Sequence, residues 1–245
     1  MNGDNLGEYL NEKSDNEKYG RSNEYSEGLE KEINRSRGTW SIDSTFARVI
    51  VNEIIEGGCR SVLELGAGGS SRLIATALSE GGGGSLTSVE QNPKWCEDDW
   101  EFVEKIDNVD SLLVQTDARW TLGYMGVYSY LEGEREILRD RGMYDLLVVD
   151  APQHYYGREG AIPLSIDFMK KGGVILLDDA RRRDEKWSIY KWLNTYPRIS
   201  LDELSEESKG FAVLSVGEGK DKRFSITSFI KGVHHGINRI YAMYY

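Results

Sequence analysis

The residues able to do chemistry fall into two groups along the chain. In the first, Glu64-Leu65-Gly66-Ala67-Gly68-Gly69-Ser70 follows the apolar run Arg60–Leu65 and opens a helical pattern. Glycine at such a bend lets the main chain approach a ligand closely, and a helix N-terminus presents unpaired N–H groups to it. Glu90 ends the next apolar run, Ser85–Glu90, where a carboxylate can accept from both hydroxyls of a ribose. Each feature has an ordinary reading, a packing turn and a solvated strand end, but together they point to a nucleoside ligand. Asp117 follows the third run, Ser111–Gln115, and can accept from an exocyclic amine or cap whatever begins at Ala118.

The second group is acidic and basic at once. Asp150 ends a fourth run, Tyr144–Asp150, and Asp178 with Asp179 ends a fifth, Gly173–Asp178. In a doubly wound sheet the carboxyl ends of strands converge on one crevice. Three carboxylates there repel one another unless a cation joins them, and hard oxygen ligands suit Mg²⁺, Mn²⁺ or Ca²⁺ rather than zinc. Such an ion would lower the pKa of a bound hydroxyl. Without it, Asp179 reads as a cap of the next helix and Asp150 as a substrate contact. His154, in Asp150-Ala-Pro-Gln153-His154-Tyr155, is a candidate base, because an imidazole of ordinary pKa near 6.5 accepts a proton at neutral pH. Arg158 and Arg181-Arg182-Arg183 bring guanidinium groups to the expected mouth of the site. They either pair with an anionic substrate through Arg158 and Arg181 or neutralise Asp179, Asp184 and Glu185.

The elements that must position these residues follow from the rhythm of the chain. The five apolar runs alternate with helical patterns at Ser70–Ser79, Pro93–Ile106, Glu159–Lys171 and Asp184–Asn194. A helix from residue 42 to 55 precedes them, capped by Ser41 or Asp43 and stopped by Gly57-Gly58. Strand–helix alternation with continuously apolar strands means a mostly parallel sheet covered on both faces. Two further strand-like runs, Phe211–Val216 and Arg223–Ile230, are joined without a helix and read as a hairpin that puts one antiparallel strand at the sheet edge. The fold expected is α/β, a Rossmann-like doubly wound sheet of seven mostly parallel strands over residues 39–245. Residues 1–38 are polar and acidic and read as an N-terminal arm, or a lid carrying Tyr9, Tyr19 and Tyr25.

Composition removes several classes of function. Over 245 residues the net charge is −11, so nucleic acid and anionic membranes are poor partners and a small-molecule substrate is expected. Two cysteines, Cys59 and Cys96, cannot make a disulfide framework or a zinc site. No apolar run reaches the ~18 residues of a membrane helix, and the N-terminus lacks a signal-peptide pattern, so a cytoplasmic protein is expected. A homodimer is left open.

In order, ELGAGGS (64–70), SVEQN (88–92), QTDAR (115–119), YDLLVVDAP (144–152) and GGVILLDDA (172–180) resemble the motifs of the class I S-adenosylmethionine-dependent methyltransferases, across residues 40–230. The resemblance implies that Glu64 and Gly66 meet the methionine part of the cofactor, with Ala67, Gly68 and Ser70 also cofactor-binding. It places Glu90 and Gln91 at the ribose, Asp117 and Ala118 at the adenine, and Asp150 beside the cofactor. The spacing of Asp150, Asp178 and Asp179 resembles the catechol and caffeoyl-CoA type O-methyltransferases, which implies a Mg²⁺ or Mn²⁺ ion held by these three. Those enzymes carry a lysine shortly after the first aspartate. His154 at that place is more similar to metal-dependent enzymes acting on sugars, and VVDAPQHYYGREGAI (148–162) with RRRDEKW (181–187) is similar to plant glucuronoxylan methyltransferases. The implied activity is O-methylation of a hydroxyl on a small polar, sugar-like or anionic substrate, with Asp150 and His154 catalytic. The alternatives are a metal-independent methyltransferase of an acidic sugar, a nucleoside-binding protein without catalysis, and an aminopropyltransferase using decarboxylated cofactor.

Overall fold

The computed structural model describes residues 3–13, 24–35, 42–131, 135–153, 155–219 and 222–244. In chain order the elements are α1 (Gly3–Asn11), α2 (Glu27–Arg35), α3 (Ser44–Ile55), β1 (Ser61–Leu65), α4 (Gly69–Glu80), β2 (Gly84–Glu90), α5 (Glu97–Val103), β3 (Val109–Gln115), β4 (Ala118–Gly123), β5 (Gly126–Leu131), α6 (Arg135–Asp140), β6 (Tyr144–Val149), α7 (Ala161–Ser165), β7 (Met169–Asp178), α8 (Arg183–Thr195), β8 (Ile199–Ser205), β9 (Phe211–Val216) and α9 (Ile226–Tyr244). A seven-stranded sheet has the order β3-β2-β1-β6-β7-β9-β8, and only β9 runs antiparallel to its neighbours. β4 and β5 form a separate two-stranded hairpin.

The strand sequences explain this sheet. Along β1, β6 and β7 every other residue faces one side: Leu63, Leu65, Leu147, Val149, Ile175 and Leu177 join the core under α1 and α8. The alternating set Val62, Leu146, Val148 and Leu176 joins the core under α2, α3 and α4. Pleating sends successive side chains to opposite faces, so a strand covered on both must be apolar throughout. The register sets the strand ends level: Leu65 lies beside Val89 and Val149, and Val149 beside Leu177. Strand order reverses between β1 and β6, the place where ligand crevices open in such sheets. Gly66, Glu90, Asp150 and Asp178 therefore stand in one row.

Several expectations are corrected. Residues 223–230 are not a strand but the approach to α9 and its first turns, and the hairpin partner of β9 is β8, the outermost strand. The helix expected over 159–171 is only the short α7, because β7 already begins at Met169. The β4–β5 hairpin and α6 are additional. Asp43 caps α3, its Oδ1 accepting from the Phe46 N–H at 2.8 Å; Ser41 lies outside the described residues. Within the N-terminal arm, α1 buries Leu6 and Leu10 against α8 and β8, and α2 buries Leu29 and Ile33 against α3 and α4. Among the described residues, no helix is long and apolar enough to cross a membrane.

Helix α9 docks by close backbone approach. Ser228, Gly232 and Gly236 form its buried stripe, whereas Ile226, Ile230, Ile237 and Tyr241 are exposed. A Cβ on Gly232 would lie 1.6 Å from the Met125 carbonyl oxygen, and one on Gly236 would lie 2.4 Å from that of Val127. Gly232→Ala should therefore force α9 off the hairpin and lower stability by about 1–3 kcal/mol, the usual cost of overpacking. Urea denaturation checks this, and an unchanged midpoint would mean that α9 is not seated as described.

Candidate active site

A cavity of about 720 Å³ opens at the carboxyl ends of β1, β2, β6 and β7. Its floor is the bend after β1. Gly66 has φ +100°, and a Cβ there would lie 2.9 Å from the Cβ of Ala151, so only glycine lets β1 turn this closely against the end of β6. Gly66, Ala67, Gly68 and Ser70 all line the cavity. Glu64 does not, because it lies fully buried beneath the bend. Its Oε2 accepts from the hydroxyls of Ser71 at 2.6 Å and Ser88 at 2.5 Å, and Ser71 Oγ accepts from the Gly68 N–H at 3.0 Å. Glu64 is thus the anchor of the loop, one layer below the place expected for it.

Glu90 reaches the cavity wall and also braces the loop. Its Oε2 accepts from the Ala67 N–H at 3.1 Å and its Oε1 from the Asn92 N–H at 2.8 Å. Burial pushes its pKa up, against these backbone bonds. Each carboxylate oxygen can accept more than one bond, so both retain capacity for a ligand hydroxyl. Gln91, Trp95 and Asp99 continue the wall on the β2 side. Asp117 and Ala118 lie outside the lining: Asp117 is exposed, and at Ala118 the chain has already turned into β4.

The acidic group is assembled as expected, with a partner inside it. One oxygen each of Asp150, Asp178 and Asp179 lies within 4.8 Å of the others. Arg158, only 3% exposed, reaches into this cluster. Its Nη2 donates to Asp150 Oδ1 at 2.7 Å and to Asp179 Oδ2 at 2.9 Å, and its Nη1 donates to the Asp178 carbonyl oxygen at 2.7 Å. Arg182 Nη1 meets the same Asp179 oxygen at 2.8 Å. Asp178 Oδ1 is buried without a hydrogen-bond partner, and burial, reinforced by the Asp150 charge, pushes its pKa up to about 8. A small dication with near-octahedral demands needs oxygens free to converge on it. Two of these three carboxylates are engaged by guanidinium groups, so the trio as built does not fit a resident divalent ion.

Arg158 is held there by its neighbours. Next to it, Glu159 points the opposite way into a buried ion-pair network. It accepts from Lys191 Nζ on α8 at 2.6 Å and from Arg239 Nη1 on α9 at 2.5 Å. Burial alone would raise the Glu159 pKa, but the charges of Lys191 and Arg239 overcome it and hold the group at about 2. Trp192 Nε1 donates to the Glu159 carbonyl at 2.9 Å, and Ser129 Oγ donates to the Tyr156 carbonyl at 3.0 Å.

The remaining expectations divide. Arg181 is exposed and outside the cavity lining, with its Nη1 donating to the Ser208 carbonyl at 2.7 Å; it is Arg182 that turns inward. Asp179 does not cap α8, whose N-cap position is Arg182. His154 lies outside the described residues. Trp95, Gln153 and Lys209 are lining residues that sequence reasoning did not single out. Lys209 sits in the β8–β9 turn, which could not be recognised while β8 itself was unread.

Comparisons with known proteins agree with this geometry. The methyltransferase-domain family matches residues 63–180. An O-methyltransferase from Bacillus cereus, in complex with SAH, is 18% identical and superposes with a TM-score of 0.54 over 79% of this chain and 92% of its own. The O-methyltransferase TomG from Streptomyces achromogenes, involved in tomaymycin synthesis and in complex with SAM, is 14% identical at a TM-score of 0.54 over 80% and 92%. A methyltransferase from Geobacter sulfurreducens is 14% identical at a TM-score of 0.54 over 88% and 96%. At these identities the likeness is one of fold. No curated protein matches the sequence.

The buried loop anchor has a pH signature. Burial raises the Glu64 pKa from 4.5 to about 7, against hydrogen bonds from Ser70, Ser71 and Ser88. Between those values the folded chain keeps a proton that the unfolded chain releases, so this group makes stability fall as pH rises through that window. Asp178 acts with the same sign up to about 8. Glu64→Gln, which cannot ionise, should flatten part of that decline. Thermal midpoints across the window measure it, and a slope identical to wild type would show Glu64 ionised in the folded state throughout.

Proposed function

We propose, from the methyltransferase-domain match over residues 63–180 and the methyltransferase-like fold, S-adenosylmethionine-dependent transfer of a methyl group to a hydroxyl of a small polar, sugar-like or anionic molecule. The observation that carries this reading is the single cavity shared by the Gly66 bend, the Glu90 carboxylate and the Asp150–Arg158 cluster. The close turn at Gly66 makes a cradle that any Cβ would fill, and it leaves the N-terminus of α4 open toward the amino-acid end of the cofactor. Glu90 accepts from the ribose hydroxyls with the lone pairs that Ala67 and Asn92 leave free. Trp95, 60% exposed on the cavity wall, offers an indole face for the adenine in place of Asp117 and Ala118.

The acceptor enters on the β6–β7 side. Arg182 and Lys209 line that side and suit an anionic acceptor better than a neutral one. In the transfer an acceptor oxygen attacks the sulfonium methyl carbon. The O–CH₃ bond forms, the S–CH₃ bond breaks and leaves a neutral thioether, and the hydroxyl proton passes to a base. Of the three clustered aspartates that line the cavity, Asp150 is the most exposed and the first candidate base, and His154, four residues further on, is the second. A positioned base is worth roughly 10²–10⁴-fold in rate. Of the versions with and without a divalent ion, the Arg158 contacts favour the one without.

Calorimetric titration with S-adenosylmethionine and its demethylated product tests the reading, followed by a labelled-methyl screen of acceptors. No heat at millimolar cofactor would refute it, and binding without transfer to any acceptor would favour a nucleoside-binding or aminopropyl-transferring protein. Glu90→Ala should weaken cofactor binding by the loss of two charge-assisted hydrogen bonds, each worth on the order of 1.5–3 kcal/mol. An unchanged dissociation constant would leave Glu90 as a brace for Ala67 and Asn92 alone.

A further inference from the structure

We propose that Arg158 is a built-in replacement for a divalent ion: its guanidinium fills the place among Asp150, Asp178 and Asp179 that a metal would take, and this chain therefore positions Asp150 without one. The inference rests on the methyltransferase reading for its catalytic meaning, but its geometry stands by itself. One nitrogen of Arg158 bridges Asp150 Oδ1 and Asp179 Oδ2, and the other binds the Asp178 carbonyl oxygen. A metal placed to join Asp150 and Asp179 through those oxygens would occupy the position of Nη2.

The guanidinium cannot easily step aside. Its own burial is nearly complete, and the residues on either side are locked. A Cβ on Gly157 would lie 1.9 Å from Arg239 Nη1, and one on Gly160 would lie 2.1 Å from the Ser129 carbonyl oxygen. Glu159, between them, is held by Lys191 and Arg239. Swinging Arg158 out would leave Asp150, Asp178 and Asp179 together in a buried place and drag this loop with it. Charge points the same way. Two of the three carboxylates, Asp150 and Asp179, already face Arg158 and Arg182 directly, with the Lys209 charge also acting on Asp150. With three cations already set against this cluster, an added dication would meet their repulsion as well as the carboxylates' attraction.

The consequence is a division of labour within the site. Arg158 acts through Asp150 in this assignment and is a positioning residue. It fixes one oxygen of Asp150 and favours that carboxylate's charged form, while Asp150 still lines the cavity. A guanidinium is planar and permanently charged, so it orients a carboxylate as firmly as an ion does. Unlike an ion, it offers no open coordination position to the acceptor.

The test is metal binding by the full-length chain, purified with chelator and titrated with Mn²⁺ while free ion is followed by electron paramagnetic resonance. Wild type should bind no stoichiometric Mn²⁺ at the site up to millimolar concentration. Arg158→Met, which frees the carboxylates without adding a charge, should bind at least tenfold more tightly than wild type, and Asp150→Asn in that background should abolish the gain. One Mn²⁺ per wild-type chain, lost on Asp150→Asn alone, would overturn the proposal even if Arg158→Met does not fold. A folded Arg158→Met chain that gains no Mn²⁺ would overturn it too, because the carboxylates would then make no ion site in either form. The rescue variant Arg158→Lys should suppress Mn²⁺ binding again. Titration of S-adenosylmethionine into the same wild-type sample reports on the methyltransferase reading separately, so failure of one is told apart from failure of the other.

Discussion

Arg158 and Glu159 are consecutive, buried and opposite in charge, and they point to opposite sides of one loop. Burying a single ion is costly, and leaving one unpaired after removing its partner typically costs 3–5 kcal/mol, roughly half of a small domain's stability. Each of these two is paired in a different layer. Arg158 faces the carboxylates at the ends of β6 and β7, and Glu159 faces Lys191 on α8 and Arg239 on α9. The loop after β6 therefore acts as a clasp between the crevice and the helical layer behind it. Neither half can move without exposing the other to an uncompensated charge.

That constraint gives the crevice its electrostatic character. Carboxylates line or underlie it at the ends of four strands: Glu64 below the glycine bend, Glu90 on the wall, Asp150 and Asp178 across from them. Burial raises the pKa of each, which is the mark of a low-dielectric environment. In the proposed reaction the sulfonium donor brings a positive charge to this acidic surround, and its thioether product has lost that charge. Arg158 and Arg182 offset that acidity on the β6–β7 side.

How much of this was legible in the sequence depends on whether the signal was local. β1, β6 and β7 were readable because a strand covered on both faces carries a continuous apolar run, and β2 and β3 because shorter apolar runs alternate with helical patterns. β8 (ISLDELS) alternates polar and apolar residues at the sheet edge and gave no such run. The Phe-Ser-Ile-Thr-Ser-Phe-Ile stretch at 224–230 looked strand-like because β-branched and aromatic residues dominate it. Its helical period emerges only when Ser228, Gly232 and Gly236 are taken together. Within the site, Gly66 and Glu90 were found by their place after apolar runs. Arg158 was noticed but placed at the mouth, because burial of an arginine depends on partners that come from other elements. Arg181 and Arg182 are adjacent, and which of them turns inward is decided by the tight turn at Asp179, where φ is +60°. No spacing rule carries that information.

The inverted burial of α9 follows from the same clasp. An amphipathic helix ordinarily hides its large apolar residues, but α9 buries small ones and exposes Ile226, Ile230, Ile237 and Tyr241. Gly232 and Gly236 bring its axis against the backbone of β5, closer than any side chain would permit. That approach places Arg239, on the same stripe one turn further, within reach of Glu159 and of Asp184 at 3.1 Å. Apolar burial along α9 is forgone for a short backbone-to-backbone distance, and the short distance is what lets a cation on the last helix reach a carboxylate next to the active-site arginine. The geometry of Asp150 at the crevice thus depends on a helix that lines no part of the cavity.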